Sequence, residues 1–358
     1  MSDLAELVEA ADLNALLRAV DGLCEDRDWG RLVDLADMCE EALERGKQLW
    51  PIADHIDYRL ALEAPGDYAG SVLGSDPSRF VLGPLTEVAA SSHTWHALAD
   101  HLESDVVAAY VAQECVVRSE KLGGDDRAHP EVLELPVELL NFEPTYCLAK
   151  YHKQSVEVTE PWDPRESIAP VQSRPTDELD EPELTEALLE LVTPWLTESN
   201  GVAKAVVVEG DAVAAASCLS ADEFRIGTLT TKEALQRMAW AAASGGAHGR
   251  RRGAALGRFT SLYTGALITD LSWPPDFDEL EDGLEELNFY RWEEDSLPVE
   301  AVADAQTDRP ADESKGGSSS GGWLLRLAIE DPEQGWAAAI SATDLLTEQD
   351  DDAESSKQ

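Results

Sequence analysis

Residues 230–259 read TTKEALQRMAWAAASGGAHGRRRGAALGRF, and they hold the clearest local signals in the chain. Thr230 and Glu233 form a Thr-x-x-Glu capping box, so a helix is predicted to begin there. Glycines end that helix, and apolar residues at helical spacing resume beyond them at Leu256, Phe259, Leu262, Tyr263, Ala266 and Leu267. The stretch predicts two helices joined by a glycine-rich basic loop, residues 245–253.

A lack of acidic residues distinguishes this stretch from the rest of the chain. The 358 residues include 72 Asp plus Glu and 27 Lys plus Arg, for a formal net charge of -45. From Ala234 to Thr269, 36 residues contain five arginines and no Asp or Glu. At the average density of the chain about seven acids would be expected there. Beyond the capping Glu233, negative charge is therefore excluded from both predicted helices as well as from the basic loop.

The basic loop has the chemistry of an anion-binding site. Glycines permit positive φ, which turns backbone N–H groups toward a ligand, and a helix starting near Arg250 or Arg251 would add its partial positive charge. Arginine side chains contribute bidentate contacts to phosphate or carboxylate. We therefore predict that the ligand-binding residues are Gly245, Gly246, His248, Gly249, Arg250, Arg251, Arg252 and Arg258.

Three functions are compatible with the basic loop. In the leading hypothesis, a cytosolic accessory or regulatory protein binds a phosphorylated small molecule, a nucleotide or an acidic segment of a protein partner. In the second, an enzyme uses His248 as a general acid or base while the arginines stabilise negative charge. In the third, the arginines pair with carboxylates of the N-terminal half and dock the two domains, and Gly253 and Gly257 allow close helix packing.

The sequence before this stretch predicts an all-helical domain over residues 1–122. Apolar stripes predict six helices, at residues 4–20, 32–43, 51–62, 85–90, 95–102 and 105–115, the last of them capped by Ser104. Prolines then recur through residues 123–182, which predicts a connector with one edge strand near residues 146–158 and a flexible acidic end.

Residues 183–347 predict an α+β domain with a mostly antiparallel sheet. A helix is expected over residues 184–196, and short valine-rich and aromatic runs predict strands at residues 203–209, 212–219, 224–229, 287–292 and 323–329. Gly210 and Asp211 are interpreted as the turn between the first two strands. Residues 303–322 predict a flexible insertion and residues 348–358 a disordered acidic tail.

Composition predicts a cytoplasmic protein. The five cysteines are far apart and form no Cys-x-x-Cys pair, which is typical of reduced thiols. No apolar run is long enough to span a membrane, and the acidic first residues lack the features of a secretory signal. The net charge disfavours extended nucleic acid binding. His96 and Asp100 have i, i+4 spacing but are more typical of surface residues, so we predict no metal site, and the sequence identifies no cofactor.

Residues 240–258, WAAASGGAHGRRRGAALGR, resemble the signature of a family of actinobacterial proteins of unknown function. Three earlier stretches are similar to the same family: GKQLWP at residues 46–51, YRLALEAP at 58–65 and LGPLTEVAASSHTW at 82–95. The resemblance covers most of the chain. It implies a bacterial cytosolic protein, and it transfers no activity and no catalytic residue.

Overall fold

The computed structural model of the chain describes residues 4–74, 82–161, 168–220, 223–294 and 323–345. The predicted insertion at residues 303–322 and the predicted tail at 348–358 lie outside these residues. The chain divides into two compact units, one within residues 1–139 and 149–156 and the other within residues 140–148 and 157–358. Both units therefore draw on the proline-rich stretch that was predicted to be a connector.

The first unit is built from helices. They are α1 (Leu4–Ala10), α2 (Leu13–Asp26), α3 (Trp29–Glu44), α4 (Trp50–Glu63), α5 (Gly66–Ser71), α6 (Leu85–Ser92), α7 (Trp95–Leu98), α8 (Asp105–Val116) and α9 (Pro130–Leu133), with 3-10 turns at Ala99–His101 and Asp126–Ala128. The apolar stripes of the first helices, α1 to α4, meet in one core that contains Leu16, Val20, Leu32, Leu35 and Ile56. Two short strands, β1 (Ala149–Tyr151) and β2 (Val156–Val158), pair with each other.

The predicted first helix, residues 4–20, is two helices. Ala11 has a φ of 52°, which ends α1, and Asp12 then caps α2 by accepting a hydrogen bond from the Ala15 N–H at 3.0 Å. An Asp side chain that caps a new helix competes with continuation of the preceding one, and the apolar spacing alone does not show this break.

The second unit contains a six-stranded antiparallel sheet. Its strands are β3 (Ala169–Gln172), β4 (Val202–Glu209), β5 (Glu223–Leu229), β6 (Asn288–Glu294), β7 (Trp323–Asp331) and β8 (Trp336–Asp344), in the order β3-β5-β6-β7-β8-β4. Its helices are α10 (Pro182–Glu190), α11 (Thr193–Glu198), α12 (Ala212–Ser217), α13 (Thr231–Ala243), α14 (Ala254–Ile268) and α15 (Phe277–Glu286). Helices followed by a mostly antiparallel sheet confirm the predicted α+β class.

Both faces of the sheet are covered. On one face Val206, Val208 and Trp292 pack with the alanines of α12 in a single buried cluster. Side chains alternate across a strand, so Val207 and Leu327 point to the opposite face, and they are buried as well. The α10 and α13 helices contact the strands from that second side.

Residues 212–219, predicted to be a strand, contain the α12 helix instead. Asp211 is its N-cap, with the carboxylate accepting a hydrogen bond from the Ala214 N–H at 2.9 Å. The Ala-Val-Ala-Ala-Ala run favours a helix because alanine has the highest helix propensity, so the prediction of a turn at Gly210 and Asp211 between two strands is wrong.

The predicted helix at residues 184–196 is also two helices, α10 and α11. Pro194 lacks an N–H, and inside a continuous helix its ring would clash with the carbonyl of Glu190, the residue at which α10 ends. One edge strand of the large sheet, β3, comes from residues 169–172, later in the proline-rich stretch than the edge strand that was predicted, and the other edge strand is β4.

In the part of the chain that the structure describes, no helix combines the length and the apolar character needed to cross a bilayer.

Candidate functional site

The basic loop connects α13 to α14 and is shaped by its own backbone. The α14 helix begins at Ala254, whereas the sequence predicted a start near Arg250 or Arg251. Gly253 has a φ of 96°, so the chain turns into the helix only after this residue. Before it, the Arg252 N–H donates to the Ala243 carbonyl at 2.8 Å, which folds the loop back onto the end of α13.

Three loop glycines lie where no side chain fits. A Cβ on Gly245 would stand 2.2 Å from the Arg250 carbonyl oxygen, and one on Gly249 would stand 2.1 Å from the Gly245 oxygen. Gly246 has a φ of 78°, and a Cβ there would lie 2.2 Å from Oδ2 of Asp344. The glycines therefore serve close packing of the loop against itself and against the end of β8.

The backbone N–H groups of the basic loop point at acceptors of the same chain. The Ala247 N–H donates to Oδ2 of Asp344 at 2.6 Å, and the His248 N–H donates to the Ser199 hydroxyl at 2.9 Å. The Gly246 N–H donates to the Ser244 hydroxyl at 3.1 Å. Asp344 is only 1% exposed, so the acidic group that the loop contacts is a buried carboxyl group of the protein itself.

The three consecutive arginines differ in their surroundings. Arg252 forms an ion pair with Glu198, and the two side chains remain 37% and 33% exposed. Arg250 is exposed and Arg251 is half-buried. Burial raises the pKa of Cys147 to about 11, and the positive charges of Arg251 and Arg237 oppose that rise, which places both guanidinium groups near this thiol.

Arg258, predicted to be a ligand-binding residue, is buried within α14. Its Nε and Nη2 donate to the two carboxylate oxygens of Glu143 at 2.8 and 2.6 Å, and both side chains have no exposed surface. Glu143 also accepts from the Leu140 N–H at 2.9 Å and from the Tyr146 hydroxyl at 2.5 Å. The bidentate pair fastens residues 140–148 to the second unit.

The pKa shifts of Arg258 and Tyr146 follow from their burial and from their contacts with Glu143. Burial alone would lower the pKa of Arg258, but the hydrogen bonds and the negative charge of Glu143 hold it above its ordinary value. Burial raises the pKa of Tyr146, and the adjacent Glu143 carboxylate raises it further. Arg258 is therefore stable as a cation and Tyr146 as a neutral phenol.

The α13 and α14 helices pack closely over a glycine, as the spacing of Gly253 and Gly257 predicts. A Cβ on Gly257 would lie 2.4 Å from the Ala239 carbonyl oxygen and 2.9 Å from the Cβ of Ala243. Earlier along the same face of α13, Lys232 and Gln236 donate to the carbonyls of Asn141 and Thr145, both at 2.6 Å. The acid-free helix pair thus organises the second unit and carries residues 140–148.

Two cavities open beside α10 and α14, and sequence reasoning identified neither. The first, about 640 Å³, is lined by Glu183, Glu186 and Glu190 of α10, by Phe259 and Tyr263 of α14, and by Arg252. The second, about 770 Å³, shares Glu183 and Leu267 with the first. The helical spacing of the three glutamates could have indicated the part of the cavity that α10 lines. The α14 residues that line the same cavity are distant in the sequence, so no local pattern indicates them.

Histidines do not stand at these cavities. His248 is exposed, and it is not among the residues that line either of them. Asp100, from the histidine-rich segment, pairs with Arg127. Within the described residues, no group of three or more His, Cys, Asp or Glu side chains is positioned to hold a metal ion.

The fold and the basic loop define a class of α+β proteins in which an acid-free helix pair is joined by a carboxylate-binding loop. The chain belongs to a family of unknown function, DUF6183, which matches residues 14–297. No curated protein matches the chain, and no solved structure matches it either. The match covers most of the first unit, the whole basic loop and the second unit as far as residue 297.

Proposed function

We propose that the chain is a non-catalytic accessory or regulatory protein in which the basic loop stabilises the second unit by binding the chain's own carboxylates. The hydrogen bond from the Ala247 N–H to the buried Asp344 carboxylate, at 2.6 Å, carries this proposal. A charge-assisted hydrogen bond to a buried carboxylate stabilises a fold by about 1.5–3 kcal/mol. The ion pairs of Arg252 and Arg258 with Glu198 and Glu143 support the same role.

Asp344→Ala tests this role directly. Removing the carboxylate leaves the Ala247 N–H without its acceptor, so the free energy of unfolding should fall by about 1–3 kcal/mol with no ligand present. Urea denaturation followed by tryptophan fluorescence measures it.

Gly246→Ala supplies a second arm with a matched control. Gly246 and Gly335 have nearly the same φ, 78° and 76°, but only Gly246 is crowded, since nothing lies within 4 Å of a Cβ on Gly335. Gly335→Ala should lower the free energy of unfolding only by the strain of positive φ, about 1 kcal/mol. Gly246→Ala should lower it by clearly more. If Asp344→Ala is as stable as the wild type and the two alanine variants are equally stable, the basic loop has no such role.

An anionic ligand is the second candidate, and one observation favours it. Arg252 is partly exposed and lines the 640 Å³ cavity, so its guanidinium could exchange Glu198 for a phosphate or carboxylate of a ligand. Inorganic phosphate and pyrophosphate should then raise the melting temperature of the wild type and leave the Arg251→Glu/Arg252→Glu variant unchanged. A loss of stability in that variant with no response of the wild type to either anion would favour the internal role.

The enzymatic alternative receives less support from the geometry. A general acid or base must lie within hydrogen-bond reach of a bound substrate, and exposed His248 lines neither cavity. His248→Gln should therefore leave any ligand binding intact.

A further inference from the structure

Three glutamates of α10 form a stripe that faces the 640 Å³ cavity. Glu183, Glu186 and Glu190 have i, i+3 and i+7 spacing, which places them on one face of the helix, and all three are exposed. The Thr193 hydroxyl donates to Glu190 at 3.3 Å. Among the described residues no cation pairs with Glu183 or Glu186.

Aromatic rings of α14 also line this cavity. Phe259 and Tyr263 are one turn apart on α14, with ring centroids 5.9 Å apart and planes inclined by 10°. The Trp273 ring packs edge-on against both, at 5.2 and 5.7 Å, which holds the pair in place. Two half-buried rings and a row of carboxylates therefore line the same cavity.

Carboxylates opposite aromatic rings are a combination that suits an organic cation. An ammonium group is attracted both by carboxylate charge and by the negative face of an aromatic ring, while its methylene chain packs on the ring. A metal ion would gain nothing from the rings. The cavity volume of about 640 Å³ lies in the range of small-molecule sites.

The adjoining cavity extends the negative lining. Glu181, Glu209, Asp270 and Glu286 line the 770 Å³ cavity, which meets the first at Glu183 and Leu267. A ligand with several positive charges along a flexible chain could occupy both. Arg252, the cation that lines the first cavity, forms its ion pair with Glu198 and not with the α10 glutamates.

We propose that these joined cavities bind a linear aliphatic polyamine. One ammonium group lies between Glu186, Glu190 and the rings of Phe259 and Tyr263, and the chain continues past Glu183 toward the second cavity. This site is independent of the carboxylates that hold the basic loop, so it can fail while the internal role of that loop stands.

Titration calorimetry of the full chain with spermidine tests the proposal. At about 0.15 M salt, where the field of distant surface charges is largely screened, the wild type should bind spermidine with saturable heat. Glu186→Gln/Glu190→Gln should weaken binding by about tenfold or more, which corresponds to about 1.4 kcal/mol. Phe259→Leu, which keeps the apolar volume and removes the ring, should weaken it several-fold.

A matched control separates a site from general attraction by the acidic surface. Glu40 and Glu44 are exposed on α3, have the same i, i+4 spacing as Glu186 and Glu190, and line none of the described cavities. Glu40→Gln/Glu44→Gln should bind spermidine as the wild type does. An equal loss in both double variants, an absence of saturable binding, or binding of an oligolysine peptide but not of spermidine would overturn the proposal. Circular dichroism confirms that each variant is folded.

Discussion

At the scale of single residues, the arginines of the acid-free stretch are not equivalent. Arg258 is fully buried and makes two hydrogen bonds to one carboxylate, whereas Arg252 makes an exposed ion pair with Glu198. A buried charge that loses its partner costs far more than an exposed one, because water cannot solvate it. Burial therefore determines which arginine matters for stability.

Arg258→Met should lower the free energy of unfolding by about 3–5 kcal/mol, because it leaves the buried Glu143 carboxylate without its cation. Adding Glu143→Gln to this variant should restore part of the loss, since a neutral amide can still accept from the Leu140 N–H. Arg252→Met, on the exposed pair, should cost about 1 kcal/mol or less. Urea denaturation measures the free energy of unfolding of all three variants. Equal losses for the two single variants would contradict the conclusion that burial determines which arginine matters for stability.

At the scale of elements, helix caps explain several boundaries. The capping box of Thr230 and Glu233 at the start of α13 was predicted and is confirmed, with the Thr230 hydroxyl accepting from the Glu233 N–H at 3.3 Å. Asp211 caps α12 in the same manner, but its neighbours Val207 and Val208 directed the prediction toward strands. Helix propensity alone does not predict the structure of an alanine run. The alanines of α12 form a helix, whereas Ala337 to Ala339 lie in the strand β8, which no local pattern indicated.

Asp211→Ala should destabilise the second unit by about 1 kcal/mol, because the first turn of α12 loses the acceptor of its Ala214 N–H. Asp211→Asn should cost much less, since the amide oxygen can still cap the helix. Thermal denaturation followed by circular dichroism distinguishes the two. If both variants lose stability equally, the ion pair of Asp211 with Arg174 is the relevant contact and the cap is not.

At the scale of the whole molecule, charge is the dominant property. A formal net charge of -45 makes the folded chain repel itself, and most of its acids are not paired with a base, since 72 acids face 27 bases. The same excess supplies the carboxylates that the basic loop uses and the stripe that faces the α14 rings.

The melting temperature should rise as sodium chloride is increased from about 0.01 M to about 0.5 M, because screening weakens this repulsion more than it weakens the exposed ion pairs. Potassium chloride at the same ionic strength should have the same effect, which distinguishes screening from binding of a particular cation. A melting temperature that falls with added salt would show that ion pairs outweigh the repulsion.

The sequence by itself determined the α+β class, the helical first unit and the acid-free helix pair, because capping boxes and apolar periodicity act over a few residues. Only the tertiary structure decided what the basic loop binds. Asp344 and Glu143 lie 97 and 115 residues from the groups they accept from, and no local pattern connects them. The α10 glutamates are likewise distant along the chain from the α14 rings, by 69 to 80 residues. Loop glycines and arginines have the same chemistry for a ligand as for an internal carboxylate, so packing alone makes the choice.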